Sequence, residues 1–470
     1  MLRGFCIELA ISQPCHSDYT IFLYYQKERK KYNTFELFCC YIKNKVSIFA
    51  IRLFMNTKMD TIKVSIKRLG KIANSEIEIN RMVLFTGESG LGKSYMAILC
   101  HYFFYEKGID FNEDRKAFKN TGVAKEILKS ELEAWMAKDA IEYMRYMLGY
   151  EKLNGEIVVH LPDSVPEKII INYEEQLVGF TENEEPYILL HTDNLSYRVL
   201  NSDNFGETPY AVILRHELVT LILSSFKAVT DSFVFPPSRG FALSDQFTPV
   251  TGLYESYHKT LLKLKKTSQD ADADNSPELV TSIHKLIDGK VEFTDNKFIY
   301  HNNGTEMPIS AAAASIRELA PFEFLVEKTT ISKDVLLIEE PEAHLHPLKQ
   351  RLVADVISLM FNEGAYMQIT THSDYFLRRL NELILLQRIK DKADAETYDK
   401  YCRELSIDPN MALQVDGICA YILLPNEDGT SRIEKQDLCD GVPFTSFVGA
   451  IEKSLSILDK LENSEDDEDC

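Results

Sequence analysis

Three stretches of this chain place polar, reactive side chains at the ends of apolar runs. The first is Gly87-Glu88-Ser89-Gly90-Leu91-Gly92-Lys93-Ser94, which follows the apolar run Met82–Thr86 and opens a helical pattern. That is the setting in which G-x-x-x-x-G-K-[ST] forms a phosphate-binding loop. The glycines let backbone N–H groups turn inward around phosphate oxygens, and the helix start adds partial positive charge. Lys93 is expected on the terminal phosphates of a nucleotide and the Ser94 hydroxyl on Mg²⁺, with ATP as the nucleotide.

The second stretch is Val335-Leu-Leu-Ile-Glu339-Glu340-Pro341-Glu342-Ala343-His344-Leu345-His346-Pro347. An apolar strand ends in two carboxylates, so one can hold the metal and the next can polarise an attacking water. Glu339 is assigned to Mg²⁺ and Glu340 to the water. The third is Gln368-Ile369-Thr370-Thr371-His372-Ser373, where a second apolar run ends in hydroxyls and a histidine. Neutral His372 can hydrogen-bond the γ-phosphate or the water. His344 and His346 suggest zinc only weakly, because no further Cys/His cluster lies near them and a closed zinc site wants four ligands.

These groups need a parallel sheet to bring them together. Period-2 alternation predicts a strand over Thr61–Ile66, and strands over Ser75–Ile79 and Met82–Thr86 are expected to follow, then a helix over Lys93–Tyr105. Downstream, a helix is expected over Ala124–Leu148, strands at Lys168–Asn172 and Tyr187–His191, a helix over Pro209–Lys227 capped by Thr208, and a strand at Ser232–Pro236. Residues 254–290 read as a short helical hairpin whose second helix has Ser276 as N-cap, Pro277 at its first position and Gly289 beyond its end. The linker from Asp270 resembles half a calcium loop, but Asn275 and Thr281 stand where Gly and Glu are needed. Helix Ala311–Lys328, strand Asp334–Ile338, helix Leu348–Phe361 and strand Tyr366–Thr370 then alternate as in an α/β fold. The end of the chain should hold helix Leu377–Lys390, strand Ile418–Leu424 and helix Phe444–Leu461 before an acidic tail, Glu462–Asp469.

The expected organisation is a doubtful leader (1–58), a first ATPase lobe (59–105), an insertion (106–297), a second lobe (298–425) and a C-terminal helix with its tail (426–470). The leader lacks a sustained period, and Met55 or Met59 looks like the natural start. With 45% hydrophobic and 26% charged residues, the chain can bury a core. A net charge of −20 repels nucleic acid at long range. Contact with DNA would need a local basic patch or a partner. The nine cysteines lack C-x-x-C spacing, which fits reduced thiols in the cytoplasm. No run reaches the ~18 apolar residues of a membrane span.

The carboxylate stretch, Thr-His-Ser about thirty residues later and the glycine-rich loop together resemble the ABC-type ATPase heads of the OLD, RecF and SMC-like proteins. Val234-Phe235-Pro236-Pro237-Ser238-Arg239 is similar to an element of stand-alone AAA-type ATPases in bacterial defence and toxin modules. The resemblance covers residues 61–105 and 298–376. It implies a P-loop NTPase head, two copies sandwiching ATP, and a signature helix facing the partner's phosphates. The matching stretch here is Ile309–Leu319, with Ser310 and Ser315 as trans-contact residues, although Ala-Ala-Ser replaces the usual glycine. It also implies that His372 is the switch histidine and that His346 faces the partner.

The function expected first is a homodimerising ATPase controlling a separate effector, such as a nuclease of an anti-phage module. A RecF-like repair ATPase binding DNA directly and a transporter ATPase subunit are the alternatives. The long stretch between Lys93 and Glu339 disfavours the transporter. The guanine-motif match Thr57-Lys58-Met59-Asp60 precedes the P-loop instead of following it and is set aside. Asp416, Glu427 and Asp428 form no spaced metal motif, so the chain alone is not expected to cut DNA.

Overall fold

The computed structural model describes residues 61–104, 125–171, 173–178, 187–192, 196–200, 231–243, 247–266, 273–294, 297–332, 334–439, 441–443 and 452–460. All of them lie in one unit, Asp60–Cys470. The expected leader, the helix Pro209–Lys227 and the acidic tail fall outside them.

In β1 (Ile62–Leu69) the inward set is Ile62, Val64 and Ile66, and a register slip against its neighbour after Ile66 lets Leu69 also turn inward. Gly70, at φ +59°, turns the chain into β2 (Ile72–Ile79). The P-loop strand β3 (Met82–Gly87) is buried along its whole length and leads to α1 (Lys93–Tyr102). Next come β4 (Lys125–Leu128) and α2 (Lys129–Leu148), so the helix expected from Ala124 starts later. Lys125–Leu128 pair instead with β6 (Lys168–Ile171), and Glu131 accepts the Leu128 N–H at the helix start.

Between them runs β5 (Gly155–His160), and a meander follows: β7 (Tyr173–Val178), β8 (Tyr187–Thr192) and β9 (Ser196–Leu200). Then come β10 (Ser232–Phe235), α3 (Gly252–Lys266), α4 (Pro277–Ile287) and a second meander of β11 (Lys290–Thr294), β12 (Lys297–Asn302) and β13 (Thr305–Pro308). The last part holds α5 (Ala314–Lys328), β14 (Val335–Glu339), α6 (Pro347–Asn362), β15 (Tyr366–Thr370), α7 (Asp374–Lys392), α8 (Ala395–Leu405), β16 (Ile418–Pro425) and β17 (Ser431–Lys435). Residues 452–460 are helical.

The central sheet has the order β10-β14-β15-β3-β16-β17-β2-β1-β5. The run from β10 to β16 is parallel, and β17, β2, β1 and β5 add antiparallel and mixed pairs. Strands β3, β14 and β15 are buried on both faces, as parallel strands covered by helices must be. On one face Met82, Leu84, Leu336, Ile338, Met367 and Ile369 join residues of α3 to α7 in one apolar cluster. Helix α1 packs on β3, β14 and β15 and, with Phe104 ringed against Tyr366, covers the alternate residues.

Three expectations on organisation change. The stretch 106–297 is not an appendage, because β5 and β10 within it form the two outer edges of the central sheet. The expected hairpin is also corrected. Helix α3 lies against β10 and α2, while α4 lies against α5 and α6. Their apolar residues Tyr257, Leu261, Ile283 and Leu286 enter the same large core instead of zipping to each other. The boundary near Phe298 falls inside the second meander, and the region after 425 contributes β17 to the sheet.

A polar cluster pins α4 to α5. His284 Nε2 lies 2.9 Å from Glu327 and 3.8 Å from Glu323, and Glu323 accepts the Val291 N–H. Glu323 is fully buried, and burial pushes its carboxyl up to about 9. These three side chains have the mutual spacing of a metal-ligand group, whereas His344 and His346 are exposed and belong to no such group among the described residues.

Candidate functional site

The parallel register brings the three polar stretches to one sheet edge. Strand β15 sits between β3 and β14, with Thr370 level with both Phe85 and Glu339. Residues distant in sequence therefore end side by side.

The P-loop turns on three left-handed glycines: Gly87 at φ +119°, Gly90 at +76° and Gly92 at +108°. A Cβ on Gly87 would stand 2.5 Å from the Leu423 carbonyl, and one on Gly92 would stand 2.8 Å from Ile72. At those two positions both conformation and space require glycine. Ser431, which sequence reasoning missed, braces the loop by donating its hydroxyl to the Leu91 carbonyl at 2.8 Å. Lys93 is buried, and its ammonium donates to the Gly87 and Glu88 carbonyls at 3.0 and 2.8 Å. Burial pushes this ammonium down to about 8, against the pull of the Glu340, Glu342, Glu339 and Glu88 carboxylates.

Ser94, the residue after that lysine, donates its hydroxyl to Glu339. Burial raises the Glu339 carboxyl to about 7, with the Ser94 bond and Lys93 opposing and Glu340 reinforcing the shift. Its second oxygen, Oε1, is buried without a hydrogen-bond partner. A hydroxyl and an under-satisfied carboxylate, both hard oxygen donors, suit Mg²⁺.

Glu340 stands at φ +47°, a left-handed conformation that non-glycine residues seldom adopt. Such strain costs on the order of 1–3 kcal/mol and persists only where the surroundings enforce it. Here the Glu340 N–H donates to the Thr370 carbonyl at 3.0 Å, and its carboxylate stays partly exposed, 3.8 Å from His372 Nε2. One water can bridge that gap. Burial, then Lys93, lower the His372 pKa, and Glu340 opposes them, so the imidazole is neutral at neutral pH.

Glu342 organises the next shell. Its Oε1 accepts the Thr371 hydroxyl at 2.8 Å and the His372 N–H at 2.7 Å, and its Oε2 is buried without a partner. Burial raises its pKa against these donors. Ser373 donates to Gln350 at 2.5 Å, and Gln350 in turn donates to the Leu345 carbonyl at 2.9 Å. The loop holding the carboxylates and the loop holding His372 are thus tied through the first turn of α6. His346 caps that helix, its Nδ1 accepting the Leu348 N–H at 3.4 Å.

The expected trans-contact residues lie apart. Ser310 is exposed in a short 3-10 turn, and Ser315 sits half-buried in the first turn of α5. No hydrogen bond joins either to residues 87–94 among the described residues. The helix expected from Ala311 begins at Ala314, after an extended Ala312 and Ala313. The second residue missed by sequence reasoning is Arg239. Its guanidinium is fully buried against α5 and the Glu339–Pro341 turn. The run Pro236-Pro237-Ser238-Arg239 was the available signal, but it assigned no role.

A glycine-cradled Lys-Ser loop, the parallel run of the central sheet and paired carboxylates at the end of β14, two strands from the loop, define a P-loop NTPase fold of the α/β class. Residues 251–377 match the family model of an AAA ATPase domain, a span that contains Glu339, Glu340 and His372 but not the P-loop. Over that span the chain is similar to AAA ATPase domains. No curated protein matches it in sequence.

Solved structures similar to it include SMC heads. One is an SMC head bound to the C-winged helix domain of ScpA, 13% identical, covering 82% of this chain and 98% of that one at TM-score 0.35. A second is the SMC head domain from Thermotoga maritima, 11% identical, covering 81% and 100% at TM-score 0.31. A third is a Pyrococcus furiosus SMC head with an extended coiled coil, bound to the C-terminal domain of ScpA, 12% identical, covering 86% and 99% at TM-score 0.35.

Proposed function

We propose that the chain binds and hydrolyses ATP at the ends of β3, β14 and β15. The observation that carries this reading is the direct bond between Ser94 of the P-loop and Glu339 of β14, beside buried Lys93 and the Glu340–His372 pair. Gly87 to Ser94 would cradle the phosphates, with Lys93 leaving its loop carbonyls for phosphate oxygens. Ser94 and Glu339 would hold Mg²⁺, which neutralises phosphate charge when bound. Glu340 orients and deprotonates the attacking water. The water oxygen bonds to the γ-phosphorus, the bond to the ADP oxygen breaks, and the water's proton goes to Glu340. Neutral His372 steadies the γ-phosphate or the water by hydrogen bonding.

The reading extends to two copies that close on ATP, with Ser310 and Ser315 of one copy meeting the other's phosphates. It also extends to control of a separate effector, such as a nuclease of an anti-phage module, in the cytoplasm. The exposure of Ser310, just before α5, supports the two-copy part. Among the described residues no helix is long and apolar enough to cross a membrane.

The test is Glu340→Gln in a phosphate-release assay. ATP should still bind, and turnover should fall by roughly 100-fold or more, the scale of a lost general base. Turnover near the parent's would move the base elsewhere, with Glu342 the next residue to try.

A further inference from the structure

Glu340 faces His372 from a left-handed backbone, and one buried side chain grips that turn. Arg239 follows β10 at the start of a short 3-10 turn, Arg239–Leu243, and has no solvent exposure. Its Nη1 donates to the Glu339 carbonyl at 3.1 Å and to Pro236 at 3.2 Å. Its Nη2 reaches the Pro341 carbonyl at 3.3 Å and, at 3.5 Å, that of Glu340. Three consecutive carbonyls of the carboxylate turn therefore face one guanidinium.

The other side of the same group is fixed to α5. Nε donates to the Glu318 carbonyl at 2.9 Å, the Glu318 carboxylate lies 3.8 Å away, and the guanidinium stacks 4.7 Å over the Phe322 ring. Gly240 donates its N–H to Glu318 at 3.1 Å, and a Cβ there would press on Arg317 at 2.9 Å. The contact between this turn and α5 is thus close and has no slack.

We infer that Arg239 is a positioning residue for Glu340: its planar fork holds the strained carboxylate turn and makes the geometry of that turn depend on the placement of α5. Burying a cation among carbonyls is expensive unless its donors are met, and here the donors are spent on the turn next to the reacting groups. Lysine keeps the charge but cannot bridge several carbonyls in one plane. A movement of the first turn of α5 would reach the carboxylate through this link. The inference rests on the ATPase reading above.

Arg239→Lys should leave ATP affinity within about threefold of the parent by calorimetry and lower kcat by roughly tenfold or more, a split that marks lost positioning and not lost binding. Because the effect runs through Glu340, adding Arg239→Lys to Glu340→Gln should lower the residual rate less than twofold. An equal loss in both backgrounds, or a parallel loss of ATP binding, would overturn the assignment to Arg239 alone. Glu340→Gln turning over like the parent would instead overturn the reading of Glu340 and this inference with it. If Arg239→Lys does not fold, Phe322→Leu removes the stacked ring while keeping every donor. It should show a smaller kcat loss that also vanishes in the Glu340→Gln background, and a loss that persists there would refute the link.

Discussion

At the scale of single residues burial disfavours the charged forms of two groups that a polyphosphate and a dication would favour. Burial pushes the Lys93 ammonium down to about 8 and the Glu339 carboxyl up to about 7. Polyphosphate beside the first and a dication beside the second would favour both charged forms. Lys93→Ala should therefore weaken ATP binding by ~100-fold or more, as two charge-assisted bonds disappear. Unchanged affinity by calorimetry would remove the loop from the site. Glu339→Gln should abolish the Mg²⁺ dependence of ATP affinity while leaving metal-free binding in place, since the amide is neutral and a poor Mg²⁺ ligand. A Mg²⁺ titration at fixed ATP reads this, and an unaltered dependence would assign the metal to other groups.

At the scale of elements, the P-loop is shaped as much by its neighbours as by its own glycines. Strand β16 runs beside β3, and Leu423 leaves no room for a side chain at Gly87. Strand β2 supplies Ile72 against Gly92, and β17 begins at Ser431, which holds Leu91. Gly92→Ala faces both a left-handed φ and the Ile72 contact. It should lose ATP binding and melt a few degrees below the parent, because the strained turn also presses on the buried Ile72 side chain. Ser431→Ala removes one hydrogen bond of about 1 kcal/mol, so ATP affinity should fall by roughly fivefold. An affinity equal to the parent's would show that the loop holds its shape without the brace.

At the scale of the whole molecule, buried carboxylates set how stability responds to pH. Glu323 is pushed up to about 9 and Asp334 to about 8, both chiefly by burial. Below the ordinary carboxyl range the folded and unfolded chains are equally protonated at these groups, and their contribution is fully present. As pH rises from about 4.5 toward 9 the unfolded chain releases protons that the native chain keeps. Stability then falls, by up to ~1.4 kcal/mol per pH unit for each proton. Glu323 faces His284, Glu327 and Lys290, with Glu292 behind them. Glu323→Gln should flatten the decline in melting temperature between pH 5 and 8, and an unchanged slope would exclude Glu323 as its source. On the same scale, Glu340→Gln with ATP and Mg²⁺ should sediment as a dimer, whereas the nucleotide-free chain stays monomeric. A monomer under both conditions would sink the two-copy reading.

What the sequence determined by itself is local. Gly-x-x-x-x-Gly-Lys-Ser, the apolar runs before Glu339 and Thr370, and the cap Ser276 are legible because backbone period, glycine conformation and capping depend on residues a few positions apart. Ser276 does accept the Leu279 N–H at 3.2 Å. The tertiary structure alone decided which strand ends meet. Placing β15 between β3 and β14 brings Thr370 level with Phe85 and Glu339, and setting β5 and β10 at the sheet edges draws the expected insertion into the core. It also turned Arg239 inward, where a residue type that is usually exposed carries no local sign of burial. Strand order and the partners of a buried charge are set by contacts between residues tens to hundreds of positions apart, which no short-range pattern encodes.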